Sequence, residues 1–339
     1  PEYYGGLSYD VDFFDKNNLY VADPVENGVN TADDLSAYTA FGITTDFISH
    51  KDAKKSCGAD GEYGTFDDGL PTSLTEFLVL CDKIKNDVGA TPLTMSGAQY
   101  SYISLLLQGL EASLSGYEEM RASYDFKGTV TYVDGYADQS LFDGIDYIPK
   151  PKAASAEIDC KTNGYLTTQT VARYYADALV DIAYNEGWFS KDFKKNTATN
   201  LDAQGNFICS GLNGIEQTAM LIEGSYWFTE ALENNKMKDY NRLSGGQTER
   251  NVKWMPLPVT IDQPILKKED AKERVLLSAS ATCFAFINAR TEKKPTVLNA
   301  CKKFLKFIYS DAELAKYTAN SGIRKEAMDY PVADADLAN

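Results

Sequence analysis

The chain has 339 residues, 44% of them hydrophobic and 24% charged, the balance of an ordinary globular protein long enough for two domains or one large core. Its formal net charge of −16, from 49 acidic and 33 basic residues, repels phosphate backbones and anionic lipid, so no nucleic acid is expected as a partner. A single histidine, His50, argues against a histidine-centred triad or a multi-histidine metal site, and no apolar run approaches the roughly 18 residues of a membrane span.

The first predicted element is a strand around Leu7 to Val11, followed by a turn carrying Phe13, Phe14 and Leu19. A polar, Gly/Asp-rich stretch runs from Val21 to Gly69. A helix then starts at Thr72 or Ser73, with Glu76 completing a capping box and Leu74, Phe77, Leu78, Cys81 and Ile84 on its apolar face. Thr91 to Met95 is a strand, Ser96 to Ser101 a polar aromatic loop, and Tyr102 to Leu114 an apolar helix. Thr129 to Val133 suits an exposed strand, and a mobile stretch with Pro149 and Pro151 follows. Thr167 to Glu186 is a helix stopped by Gly187, and Ile215 to Gln217 is a helical turn before the Ala219 strand. Val252 to Pro258 and Leu276 to Ile287 are further strands, and Thr296 to Tyr309 and Ala312 to Thr318 further helices. Strands separated by helices indicate an α/β fold. Of the six cysteines none forms a CxxC pair; Cys160 and Cys209 lie in polar loops, where they are able to pair.

Ala219 to Ala231 (AMLIEGSYWFTEA) is the most informative segment. An apolar run stops at Glu223-Gly224-Ser225 and presents Tyr226 and Trp227. Aromatic faces at a strand end suit the flat C–H faces of a sugar ring. If the backbone stays extended, Trp227 points opposite to Tyr226 and belongs to the core. A second constellation is acidic: Asp60, Glu62, Asp67 and Asp68, with interspersed glycines, provide hard oxygen donors that suit a structural Ca²⁺, although the spacing is not that of an EF-hand. The other reading is an acidic turn favouring the N-terminus of the next helix.

Several phrases, in order, resemble the extracellular solute-binding proteins of carbohydrate ABC transporters, of maltose-binding type. They are PEYYGGLSYDVDFFD, DGEYGTFDDGLPTSLTEFLVLCDKI, TPLTMSG, EGWF, EGSYWFTEA, KWMPLP, ATCFAFINA with KKFLKFIYSDAELAKYTANSG, and MDYPVADADLAN. The resemblance implies a type II two-lobe periplasmic-binding-protein-like fold that closes on a sugar about a hinge and docks on a membrane permease. Residues 1–274, including the loop 58–71, then form mainly the second lobe; 275–323 belong to the first, and 324–339 cross back. Family members carry a lipoprotein signal and half of the first lobe before the position of Pro1, and helices after that of Asn339. The resemblance therefore implies an incomplete first lobe, and a monomer unless another chain completes it.

The resemblance also sets the remaining ligand candidates. Tyr226 stands where the family places a stacking tryptophan. Tyr3 and Tyr4 lie at the hinge crossing beside Gly5-Gly6, Gln99, Tyr100 and Tyr102 in the ligand loop after TPLTMSG, and Arg324 near the third crossing. It implies a non-catalytic carbohydrate receptor, tethered as a lipoprotein outside a Gram-positive membrane; the acidic chain, without a dense basic cleft, makes a neutral oligosaccharide the expected ligand. Two other classes stay open: a glycosidase using Glu223 and Glu230, which sequence gives no means to pair, and a surface glycan-adhesion module.

Overall fold

The computed structural model describes residues 2–25, 46–49, 54–140, 148–275, 277–281, 285–321 and 331; the side chains of 2–5, 139, 277–281 and 321 are outside that description. His50, Cys283 and Arg324 fall outside it.

The chain is mixed α/β; a short helix, α1 (Val11–Asn17), stands where a turn was expected, and β2 (Tyr20–Val21) pairs antiparallel with β3 (Phe47–Ile48). The central sheet has β1 (Glu2–Asp10) in the middle, antiparallel to β7 (Thr218–Gly224) on one side. On the other side, the second half of β1 pairs with β8 (Val252–Met255) and the first half with β9 (Leu277–Ala281), both antiparallel. Beyond β7 lies β4 (Thr91–Thr94), parallel to it. Every residue of β7 is buried, as expected of a strand covered on both faces.

Alternation along the strands divides the core between two helical layers. Leu7 and Tyr9 of β1 and Met220 and Ile222 of β7 join one cluster, with Leu74, Phe77, Cys81 and Ile84 of α2 (Leu74–Asn86). Tyr175, Leu179 and Ile182 of α4 (Val171–Asn185) complete it. Leu221 joins the other cluster, with Phe207 of α5 (Asn200–Ile208), Trp227 and Ala231 of α6 (Trp227–Glu233) and Tyr240 of α7 (Lys236–Leu243). On this second face Arg250 forks onto Asp10, with Nη1 3.0 Å from Oδ1, while its Nε donates to the Ile208 carbonyl.

Local chemistry explains the helix starts. Ser73 caps α2, and Glu76 returns the bond, accepting from the backbone N–H of Ser73 and of Thr72. Thr170 caps α4, so the helix begins at Val171; Gly164–Thr168, part of which reads as helix in sequence, is a 3₁₀ turn. Gly187, at φ 66°, follows the end of α4 as a left-handed stop. The helix predicted from Tyr102 continues as α3 (Ile103–Asp125), broken at Gly116, where φ is 77° and ψ 168°.

Three expectations are corrected. The Pro149/Pro151 stretch is a strand: β5 (Lys127–Ser140) and β6 (Pro149–Asp159) form a two-stranded ribbon. Prolines are tolerated there because β6 is an edge strand with no outer ladder to supply. Ile215 to Gln217 form no helical turn. Cys160 and Cys209 are both free: Cys209 closes α5 inside the second cluster, and Cys160 is exposed. At the C-terminal end, α8 (Pro295–Ile308) has no buried residue, so the apolar stripe containing Val297 and Phe304 faces outward. It is followed by α9 (Asp311–Ser321). No helix among the described residues is long and apolar enough to cross a membrane.

Candidate functional site

Because β4 and β7 run parallel, their carboxyl ends lie at the same end of the sheet, the position where open α/β sheets bind ligands. The loop after β4 carries Gln99, Tyr100 and Tyr102; the turn after β7 carries Ser225 and Tyr226. The two segments meet through Tyr226, whose hydroxyl donates to that of Tyr102 at 3.1 Å. Both rings are half-buried. Burial, and next the bond to Tyr102, push the Tyr226 phenol pKa upward, so it stays a neutral hydroxyl.

Gly224 explains the placement of this ring. A Cβ there would stand 2.5 Å from Tyr226 Cε1 and 2.6 Å from Cζ, so the phenol folds back over bare backbone. Gly224 pairs with Gly5, placing the backbone of Tyr4 just beyond the end of β7. Tyr3 and Tyr4 themselves pair with Ser280 and Ala279 of β9.

The neighbours of Tyr226 take different roles. The chain turns at Ser225 and Tyr226, and α6 begins at Trp227. Trp227 is 2% exposed, packs edge-on against Phe207 and Phe228, and donates its Nε1 to Ser8 at 3.1 Å. It is a core residue, as the alternative reading of the sequence had it, and its place beside Tyr226 among the aromatic ligand candidates is corrected. Tyr100 is the most open of the candidates whose side chains are described, at 75% exposed. Gln99 is committed to structure: its Oε1 accepts from Ser96 Oγ and from the Asn200 backbone N–H at 3.1 Å, tying the β4 loop to α5. Arg324 lies outside the described residues.

Beside the platform sits a carboxylate and amide cluster that sequence reading did not assemble. Glu223 is fully buried, one oxygen accepting from the Gly224 N–H at 2.9 Å and the other from Gln204 Nε2 at 3.3 Å. The same Gln204 nitrogen donates to Glu230 at 2.8 Å, and Asn200 Nδ2 donates to Glu230 at 2.9 Å. Burial dominates the Glu223 carboxyl and raises its pKa from 4.5 to about 7, partly offset by the Gly224 and Gln204 bonds. The Gln204 amide fills the gap between the two acids. The only sequence signal for this cluster was a glutamate closing an apolar strand; its partners come from α5 and α6.

In the acidic loop, where calcium was expected, the four carboxylates have protein partners. Asp67, 1% exposed, accepts from Arg274 Nη1 at 2.8 Å, from the Ala59 N–H and from Thr65 Oγ1. Asp60 shares the same Arg274 nitrogen at 2.8 Å; Glu62 pairs with Lys268; Asp68 accepts from the Gly64 N–H at 2.7 Å. Among the described residues no three acidic, histidine or cysteine groups converge on a metal position. Arg274 brings a positive charge to Asp60 and Asp67.

Comparison with protein-family models and with curated proteins gives no match. Among solved structures, the chain is similar to RafE in complex with raffinose, at 15% identity and TM-score 0.46, over 99% of this chain and 57% of that one. It is also similar to a chitin oligosaccharide binding protein, at 13% identity and TM-score 0.47, over 98% and 55%. A third is a sugar transporter protein from Bacillus licheniformis in complex with stachyose, at 9% identity and TM-score 0.43, over 99% and 58%. The chain spans little more than half the length of these proteins.

Proposed function

We propose that the chain is the ligand-capturing part of the substrate-binding component of an ABC importer, with a neutral oligosaccharide as ligand. One observation carries the reading: Tyr226 and Tyr102, from the carboxyl ends of two parallel strands, form a half-open aromatic platform held by their own hydrogen bond. Aromatic faces take the apolar side of a pyranose, and the phenol hydroxyls, with the Glu230 and Asn200 groups nearby, suit its hydroxyls. The ordered sequence phrases support the same class. In this reading the ligand is enclosed between two lobes and delivered to a membrane permease, and the protein is extracellular, tethered as a lipoprotein.

The reading is non-catalytic. Glycoside cleavage needs two carboxyl groups facing one bond across an open gap. Glu223 is sealed from solvent, and the Gln204 amide stands between it and Glu230.

Isothermal titration with raffinose, stachyose, chitin oligosaccharides and a set of uronate-containing oligosaccharides tests the proposal. Binding of a neutral sugar, weakened by about 30-fold in Tyr226→Ala without loss of folding, is the expected result. Preference for uronates would overturn the ligand class, and release of reducing sugar that vanishes in Glu230→Gln would overturn the non-catalytic reading.

A further inference from the structure

One strand of the ribbon, β5, borders an open cavity together with residues 168–170 and α4, and this cavity shares no residue with the Tyr226 platform. Its volume is about 300 Å³, at the small end of ligand cavities. The pairing register of β5 slips between Val133 and Gly135 and again between Tyr136 and Ser140. Gly135 has φ 149°, and a Cβ on it would meet open space. Such irregularities re-aim side chains. Here Tyr136 is brought to the α4 side, its ring centroid 5.7 Å from that of Tyr174, with planes 47° apart. Tyr174 is anchored by its hydroxyl, which donates to the Pro149 carbonyl at 2.6 Å; Tyr136 stays 52% exposed.

The polar lining is mixed in sign. Gln169, Arg173 and Asp177 border the space, and Thr170, at its floor, donates to the buried carboxyl of Glu111 at 3.5 Å. Arg173 acts electrostatically on both Glu111 and Asp177, drawing down carboxyl groups that burial pushes up, while Asp181 opposes it at Asp177. An anion would meet Asp177, and a cation would meet Arg173. Two rings tilted by 47° do not sandwich a flat aromatic ligand, but each can meet a separate apolar edge of a puckered ring. A guanidinium fork, a carboxylate and an amide around those rings match vicinal hydroxyls.

We propose that the cavity between the β5–β6 ribbon and α4 is a second binding site, for a single neutral sugar ring, with Tyr136 and Tyr174 as its walls and Arg173, Asp177 and Gln169 as its hydroxyl partners. The site stands on these residues and does not depend on the oligosaccharide reading of the Tyr226 platform.

The test uses the whole chain labelled with 3-fluorotyrosine, its fluorine signals assigned by single Tyr→Phe variants. The probes are the methyl glycosides of glucose, galactose and N-acetylglucosamine, each titrated to about 50 mM, where even millimolar binding saturates. The Tyr136 and Tyr174 signals should move saturably with at least one probe, and equally in Tyr226→Ala. Arg173→Ala should weaken the response at Tyr174 by about tenfold, and Tyr136→Phe should largely keep it. No movement of either signal with any probe, or a response unchanged by Arg173→Ala, overturns the second site. Tyr102 and Tyr226 signals in the same spectra report on the first site separately, so one reading can fail while the other stands.

Discussion

Replacing Glu223 by Gln should make the protein relatively more stable as pH rises. Glu223 is fully buried, its two oxygens share a Gly224 N–H and one Gln204 amide, and Glu230 lies across that amide. Burial lifts its pKa from 4.5 to about 7. Below the unfolded value both states hold the proton and the group contributes nothing to pH dependence. Between 4.5 and about 7 the unfolded chain has released the proton while the folded chain keeps it, so stability falls with rising pH. Above about 7 the penalty is complete, amounting to about 3 kcal/mol. The amide of Glu223→Gln cannot ionise, so this penalty disappears. It also brings a donor towards Gln204 Oε1, a buried oxygen without a hydrogen-bond partner among the described residues. Urea unfolding followed by tryptophan fluorescence measures the effect, since Trp227 and Trp188 are both buried. The stability difference, variant minus wild type, should increase by about 3 kcal/mol between about pH 4.5 and pH 8. A difference that does not change with pH, or one that decreases, would refute the reasoning; a decrease would mean that Glu223 is ionised and paired.

Other outcomes follow from the same geometry. Tyr226→Ala should weaken binding of the captured sugar by about 30-fold by calorimetry, as for a central aromatic anchor. Gly224→Ala, whose Cβ would stand 2.5 Å from the Tyr226 ring, should displace that ring and cost about tenfold in affinity while circular dichroism stays unchanged. Arg274→Met should lower stability by about 2 kcal/mol in urea, because Asp67 stays buried without its guanidinium. A chelator should leave the wild-type melting temperature where it is; a fall on chelation would restore calcium to the loop. Arg250→Met should cost about 3 to 5 kcal/mol in urea, since it strands Asp10, whose side chain is 3% exposed, and leaves the Ile208 carbonyl without its donor.

Much of this protein was legible from residue order alone. Helix starts are local events: Ser73 and Glu76 lie three positions apart and satisfy each other's backbone, so the box at α2 reads directly from sequence. The apolar faces of α2 and α4 follow from three- and four-residue spacing, and the unbroken apolar run of β7 marks a strand covered on both sides. Tyr226 stands out because an aromatic follows a strand stop. What tertiary structure alone decided is which distant groups meet. The turn after β7 makes Trp227 the first residue of a helix, so its burial comes from the packing of α6 and not from the strand alternation that the sequence suggested. The acidic loop has Arg274 as its cation, more than two hundred positions away in the chain, and proximity in sequence carries no trace of it. Glu223 and Glu230 are joined by an amide from a third element, which turns two acids into a buried, hydrogen-bonded cluster. Periodicity and caps act within a few residues of backbone; charge neutralisation and burial act through space.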